Sequence, residues 1–166
     1  SHNVESFACG VSRLDNFLKY NAVSQGKIGG TKTWVAADSD RVVMGYYTTA
    51  LFLCENENLD KKKYKKYGKY ISGLLVAKLA VDKKHAGNKL GFYLLLDAFY
   101  KVNNDNVNPG SGLLIHPMDN KQELCDFYSR MGFHQLTTLD MDGQITMFIS
   151  RKEIAKVIES YEEMPS

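Results

Sequence analysis

One segment constrains the fold of this chain more than any other: an apolar strand, a turn rich in lysine and glycine, and an apolar helix follow one another. The strand is predicted over Ser72–Val81, which is almost continuously apolar, as in a central strand covered on both faces. The turn runs from Asp82 to Lys89, and the helix from about Lys89 to Asn103. A helix N-terminus offers free N–H groups and partial positive charge, which suits a phosphate or pyrophosphate. The alternative is a tight turn made by glycines with no ligand.

Periodicity and turn residues predict the remaining elements. Two further helix starts are predicted from caps, one at Ser12 with Asp15 and one at Asp119 with Gln122. The first helix is expected to end near Gln25, at the breakers Gly26 and Gly29–Gly30. Strands are predicted over Thr31–Ala37, Arg41–Leu53, Gly112–His116, Phe133–Leu136 and Ile145–Ser150, and a last helix over Arg151–Glu162. The first two strands are predicted to form a hairpin, and Asp140–Gly143 to form the turn between the last two. This order predicts one α+β domain over residues 1–166, with a central mixed sheet and helices on both faces.

Composition excludes several classes of protein. The 166 residues carry 21 basic and 19 acidic side chains, so the net charge of +2 predicts no partner. The three cysteines have no CxxC spacing, which argues against a disulfide framework or zinc knuckle and favours a reducing cytoplasm, and we expect them to pack. No apolar run approaches the roughly 20 residues of a membrane helix. The start, Ser1-His2, lacks both Met and a signal-peptide core, which leaves open that native residues precede it.

A tyrosine and a lysine run are further candidates for function. Tyr128 shares the apolar face of its helix but carries a hydroxyl that needs a partner if buried, so it is either a core aromatic or a functional phenol. The stretch 61–70 holds three tyrosines, no acid and six lysines: Lys61, Lys62, Lys63, Lys65, Lys66 and Lys69. Such a stretch either binds RNA through phosphate contacts and base stacking or is a solvated face.

Two motifs carry a resemblance to a known superfamily. Leu79–Gly91 looks like the acyl-CoA turn of the GCN5-related N-acetyltransferases (GNAT), and Phe127–Phe133 resembles their later Tyr-x-x-x-Gly-Phe segment. Further stretches are similar to the acetyltransferase toxins of bacterial toxin–antitoxin pairs: Ser6–Gly10, Leu14–Leu18, Lys32–Val35 and Val43–Thr48. The resemblance spans about Val4 to Ser150.

The resemblance implies a GNAT fold that binds acetyl-CoA, with Tyr128 as the general acid near the thioester sulfur. The strand from Leu74 would pair with the pantetheine arm, and the turn backbone would cradle the pyrophosphate. The implied cofactor-binding residues are Leu79, Ala80, Val81, Ala86, Gly87, Asn88, Lys89, Leu90 and Gly91. The resemblance also implies a small antitoxin partner and a homodimer. The family normally has a first strand before Phe7, which the sequence lacks.

Two departures from the family turn are Ala86, where Gln or Arg is usual, and Lys89, where Gly is usual. A Cβ at residue 89 is strained if the backbone there needs a positive φ.

The acceptor is predicted from proton chemistry. An α-amine with a pKa near ~7.7–8.0 is already partly neutral, whereas a lysine amine at ~10.4 needs a base, and no His–acid constellation stands out. This favours the α-amine of aminoacyl-tRNA. A small-molecule or protein amine, or a non-catalytic binding protein, are the alternatives.

Overall fold

The computed structural model describes residues 2–55, 61–105, 110–136 and 142–164, without the side chains of Lys61 and Lys63. Its strands are β1 Lys32–Ala37, β2 Val43–Glu55, β3 Tyr70–Val81, β4 Gly112–Ile115, β5 His134–Gln135 and β6 Met147–Ser150. Its α-helices are α1 Ser12–Asn16, α2 Ala22–Ile28, α3 Lys61–Tyr64, α4 Leu90–Asn104, α5 Gln122–Arg130 and α6 Arg151–Glu162.

The six strands form one sheet in the order β1-β2-β3-β4-β6-β5. β1 and β2 pair antiparallel as the predicted hairpin, and β6 pairs antiparallel with both β4 and β5. A sheet of this size combined with helices confirms the α+β prediction. The predicted strands are all present, shifted by one or two residues at most ends. Of the turn predicted between β5 and β6, Asp140–Gly143, the first two residues lie outside the described residues.

The described chain groups into two compact units, and β2, β3 and α4 run through both. The first unit comprises Ser1–Ala50 and Val76–Ala98. Its core includes stacked and edge-on aromatic rings, with Tyr46 lying 5.6 Å from Phe7 and 6.2 Å from Phe17 between ring centroids. The second unit comprises Leu51–Leu75 and Phe99–Ser166. Its core includes Phe99 and Phe133, whose ring centroids are 5.8 Å apart.

The first helix does not begin with the predicted capping box. Its N-cap is Val11, without a side-chain hydrogen bond, and the Asp15 carboxylate instead accepts the N–H of Cys9 at 2.8 Å. The helical path also continues beyond Gln25, through a π-helical turn at Phe17–Asn21 and through Gly26, and ends at Gly29 with φ +87°. The prediction of a break at Gly26 was therefore wrong, because a glycine inside a packed helix costs only about 1 kcal/mol.

The predicted cap of α5 was also wrong. Its N-cap is Lys121, with no side-chain cap, while Asp119 lies in a short 3₁₀ turn with φ +54°. Gln122 donates to Asp126 at 2.8 Å instead of closing a cap. A full capping box occurs where none was predicted, at the start of α6, because the Ser150 hydroxyl accepts the Glu153 N–H and the Glu153 carboxylate accepts the Ser150 N–H.

Burial along β3 alternates more than its apolar sequence predicted. Ile71, Val76 and Ala80 are buried, whereas Ser72 and Ala77 are exposed. The prediction that both faces are covered is therefore wrong at those exposed positions. Small side chains such as these lose little when they face water, so an apolar run by itself does not fix which face is buried.

Candidate active site

The residues predicted to bind a cofactor form one continuous strand-to-helix corner in the first unit. Leu79, Ala80 and Val81 end β3, and α4 begins at Leu90. β3 has 12 residues and β4 only 4, so β4 is too short to pair along the whole of β3. Backbone groups near the end of a strand that its neighbour does not cover are free to pair with another extended chain.

Asp82 fixes the start of the corner, and it is 5% exposed. Its carboxylate accepts two main-chain N–H groups, that of Ala8 at 2.9 Å and that of Lys84 at 2.8 Å. The Asp82 N–H donates to the Met44 carbonyl at 2.8 Å, and the Lys83 N–H donates to the Ala8 carbonyl at 2.9 Å. These bonds fasten the turn to β2 and to the segment that precedes α1.

The electrostatics of Asp82 follow from those contacts. Burial by itself raises the pKa of its carboxyl, but the N–H groups of Ala8 and Lys84 and the charges of Lys84 and His85 lower that pKa below its ordinary value. Sequence reasoning did not single out Asp82. An Asp directly after a strand, two residues before the N–H that it accepts, is the Asx-turn spacing that identifies such a residue.

The turn itself contains two residues in the left-handed region. Lys83–His85 form a 3₁₀ turn, after which Gly87 has φ +83° and Lys89 has φ +57°. The condition under which a Cβ at residue 89 is strained, a positive φ, is met, at a cost of roughly 1–2 kcal/mol for a residue with a Cβ. Ala86, Gly87, Asn88 and Lys89 are all exposed, so their backbone is accessible.

The helix that follows the turn is packed closely against the strands of its unit. A Cβ on Gly45 of β2 would lie 3.2 Å from the Ala80 carbonyl oxygen and 3.0 Å from the Leu94 side chain, so any other residue there would force these neighbours to move apart slightly. Lower on the same helix, the Tyr47 hydroxyl donates to the Asp97 carboxylate at 2.6 Å. The N-terminus of α4 is thereby held in one position relative to β3.

Tyr128 lies on α5 in the second unit and is 5% exposed. Its ring contacts Phe127 and Phe133, with centroids 5.3 and 5.9 Å away. Among the described residues, none forms a hydrogen bond with its hydroxyl, although a buried phenol ordinarily has a partner. Burial, and to a smaller extent Cys125, raises the pKa of Tyr128 to about 12, so the phenol is protonated at neutral pH.

The lysine run is partly structured rather than a plain loop. Lys61–Tyr64 form α3 and Lys65–Tyr67 a 3₁₀ turn, and the first residues of the predicted connection, 56–60, lie outside the described residues. The side chains of Lys62, Lys65, Lys66 and Lys69 are exposed, and nothing is described of Lys61 and Lys63 beyond their backbone.

The prediction that the tyrosines of this run stack on bases fails for Tyr64. Its side chain is 3% exposed, its ring meets Phe148 edge-on at 5.5 Å, and its hydroxyl donates to Glu153 at 3.2 Å. Tyr70, 50% exposed with the Lys69 ammonium 5.2 Å from its ring, is the tyrosine of the run with an accessible face. One tyrosine therefore anchors the segment in the core.

The cysteines behave as packing residues, as predicted. All three are free thiols, and burial raises the pKa of Cys54, Cys125 and Cys9, the last to about 11 with help from Asp15. Within the described ranges, no group of three or more His, Cys, Asp or Glu side chains is placed to hold a metal ion. None of the helices described is long and apolar enough to cross a bilayer.

Comparison with known proteins identifies the fold. No protein-family model matches the sequence. AtaT complexed with acetyl-methionyl-tRNAfMet superposes with a TM-score of 0.83 at 25% identity, over 95% of this chain and 92% of AtaT. The chain has the GNAT fold of the AtaT toxin. A structure of AtaTR bound with AcCoA superposes with a TM-score of 0.77, also at 25% identity, over 95% of this chain and 91% of that one.

One curated protein is also similar to this chain in sequence. It is a tRNA-acetylating toxin of Mycobacterium tuberculosis, 31% identical over 96 residues. The match covers 58% of this chain and 57% of that toxin, so it spans little more than half the length of the curated relative.

Proposed function

We propose that this GNAT-fold chain is an acetyl-CoA-dependent N-acetyltransferase toxin that acetylates the α-amine of aminoacyl-tRNA. The observation that carries the proposal is the strand-to-helix corner: an accessible turn with left-handed Gly87 and Lys89, fastened by buried Asp82, at the start of α4. The GNAT fold is shared with AtaT, which was captured with acetyl-methionyl-tRNAfMet, and with AtaTR, captured with AcCoA.

In this proposal the cofactor is held mainly by main-chain groups. The backbone of Leu79–Val81 pairs with the extended pantetheine arm as an added strand does. The N–H groups between Ala86 and Gly91 and the N-terminus of α4 bind the pyrophosphate, since free N–H groups and the helix dipole favour anions. Lys89 adds an exposed ammonium beside them.

Tyr128 is proposed as the general acid for the leaving thiolate. The attacking amine nitrogen forms a bond to the acetyl carbon, the carbon–sulfur bond breaks, and the sulfur acquires negative charge. Because an ordinary thiol has a pKa near ~8.5, full proton transfer from a phenol with a pKa of about 12 is uphill. As general acid the phenol therefore first donates a hydrogen bond to the developing thiolate, and its hydroxyl, which no described residue bonds, is available for it.

The acceptor amine is chosen by its own acidity. The free α-amine of an amino acid whose carboxyl group is esterified to the tRNA loses its proton to water near neutral pH, so the site needs no dedicated base. The exposed lysines Lys62, Lys65, Lys66 and Lys69 are proposed to contact tRNA phosphates. Replacing these four with Gln should weaken tRNA binding and lower the slope of log affinity against log salt by up to ~3.6, at ~0.9 for each of four phosphate contacts. A slope within error of the parent protein would remove the run from the RNA interface.

The partners proposed with this function are a small antitoxin protein and a second copy of the chain, in the cytoplasm, where acetyl-CoA and charged tRNA are found. Sedimentation equilibrium of the purified chain tests the homodimer directly. A monomer at micromolar concentration contradicts it.

The decisive experiment incubates the chain with labelled acetyl-CoA, total aminoacyl-tRNA, a lysine peptide and a polyamine, and identifies the acetylated product by mass spectrometry. We expect acetyl-aminoacyl-tRNA, and a roughly 10²-fold loss of kcat in Tyr128→Phe with acetyl-CoA affinity unchanged. Tyr100→Phe is the matched control, because the Tyr100 hydroxyl is already engaged by Glu162 at 2.8 Å. Label on the peptide or polyamine, with the tRNA unmodified, overturns the acceptor; no transfer to any amine overturns the enzyme.

A further inference from the structure

Two cations of the first unit, Lys78 and Arg13, are each related to the Phe17 side chain, the first by contact and the second by helix spacing. Lys78 of β3 is partly buried, and its ammonium lies 4.2 Å from the centroid of the Phe17 ring, which is 8% exposed. Arg13 precedes Phe17 by four residues, so both project from the same side of the helix that begins at Ser12. Arg13 is exposed.

The electrostatics of this pair are unfavourable in the isolated chain. Burial and then the positive charge of Arg13 lower the pKa of Lys78 below its ordinary value. In the part of the chain that the structure describes, no carboxylate pairs with either cation. The nearest acid along the helix, Asp15, accepts the N–H of Cys9. The cation–π contact with Phe17 recovers part of the cost. An anion bound between the two cations would neutralise the rest.

We propose that Arg13 and Lys78 form a phosphate-binding subsite that grips the phosphodiester backbone of the RNA acceptor. A guanidinium presents a planar fork of donors and an ammonium a compact charge, a combination that suits tetrahedral phosphate oxygens. The identity of the ligand as RNA rests on the proposed function. The shared chemistry, a phosphate group, also occurs in coenzyme A, so the test separates the two sources.

This subsite is distinct from the pyrophosphate corner. Lys78 precedes Asp82 by four residues of extended chain, which is about 13 Å along the strand. The side chains also alternate, so Lys78 and Ala80 share the face opposite to Leu79 and Val81. The diphosphate held at residues 86–91 therefore does not satisfy Lys78, and a second phosphate is required.

The first arm of the test needs neither RNA nor activity. The lysine ammonium signals of the intact chain are followed by NMR while inorganic pyrophosphate is added. We expect the Lys78 signal to shift and its pKa to rise, and the shift to be lost in Arg13→Gln. A Lys78 signal that does not shift when pyrophosphate is added overturns the proposal. A signal that shifts only with a polyglutamate peptide also overturns it, and indicates that Arg13 and Lys78 bind an acidic protein.

The second arm identifies the source of the phosphate. Lys78→Gln should weaken tRNA binding about ten-fold and lower the salt slope by about 1, while leaving acetyl-CoA affinity unchanged, and Lys78→Arg should restore most of the affinity. Lys156→Gln, at an exposed position of α6, is the matched control. Weakening of coenzyme A binding alone shows that the subsite serves the cofactor and overturns the RNA assignment. If the parent chain acetylates tRNA and Lys78→Gln binds it equally well, the subsite is wrong while the proposed function stands.

Discussion

Lys89→Gly tests whether the turn before α4 is held by its backbone or by its side chains. Lys89 has φ +57° and makes no hydrogen bond or ion pair with a described side chain. A residue with a Cβ in this region costs roughly 1–2 kcal/mol, and glycine removes that strain. Glycine also adds about 0.5–1 kcal/mol of unfolded-chain entropy, so the net expectation is a protein more stable by about 0.5–1 kcal/mol. For a chain of this length the melting temperature should rise by about 2–3 °C.

The matched control is Asn88→Gly, one residue earlier in the same exposed turn. Asn88 is not among the residues with positive φ, so glycine there adds entropy to the unfolded chain and relieves no strain. We expect the melting temperature to fall by about as much as Lys89→Gly raises it. Thermal melts of both variants in the absence of ligand measure this pair of opposite shifts. A Lys89→Gly protein that melts lower than the parent refutes the assignment of strain to residue 89.

The same variant measures how acetyl-CoA is bound. If main-chain N–H groups supply the grip, Lys89→Gly should retain acetyl-CoA affinity within about three-fold, since an exposed ammonium contributes modestly in water. Calorimetric titration with acetyl-CoA gives this affinity directly. A loss of more than about thirty-fold shows instead that the Lys89 side chain is the principal phosphate ligand and that the backbone cradle is not.

Three further expectations concern single contacts. Asp82→Ala leaves the N–H groups of Ala8 and Lys84 without their acceptor and should lower the free energy of unfolding by about 3 kcal/mol in urea titrations at pH 7. Because the folded-state pKa of Asp82 is lowered, the stability that its carboxylate contributes is fully present above pH ~4 and is lost as the pH falls through the folded value. The parent should therefore lose its advantage in stability over Asp82→Ala in acid. An unchanged difference in unfolding free energy at pH 2 contradicts this. Gly87→Ala should cost about 1–2 kcal/mol through φ strain alone, because no atom lies within 4 Å of the added Cβ, and a melting temperature equal to that of the parent argues against the left-handed turn. Tyr64→Phe should cost about 1 kcal/mol and leave the salt dependence of tRNA binding unaltered, whereas a flatter salt slope shows that Tyr64 belongs to the RNA surface.

The features predicted correctly from the sequence are those that depend on nearby residues. The β1–β2 hairpin, the strand-turn-helix corner and the last helix were all located by periodicity and by glycines or polar turns within a few positions. Lys89 was singled out because the resembling family has glycine there, although its left-handed backbone was raised only as a condition. Each of these signals is contained in a window of about a dozen residues.

The errors and omissions involve partners that are distant in the chain or choices among several similar side chains. Asp82 accepts an N–H 74 residues away, and no local pattern reveals that contact. Asp15 was predicted to complete a capping box with Ser12, but the fold uses it to accept the N–H of Cys9. Tyr64 lies among lysines in the sequence and was grouped with the tyrosines that could stack on bases. Only its contacts with Phe148 and Glu153 show that it is a core residue.

The attachment of the phosphate turn to the N-terminal segment links ligand binding to the order of that segment. Ala8 donates to Asp82 and accepts from Lys83, so any opening of the stretch around Phe7 also releases the first residues of the turn. Free-energy coupling of this kind is reciprocal. A molecule that binds the turn must therefore slow the exchange of the Ala8 amide hydrogen with solvent. A change that frees residues 7–9 must likewise weaken the affinity of the turn for that molecule.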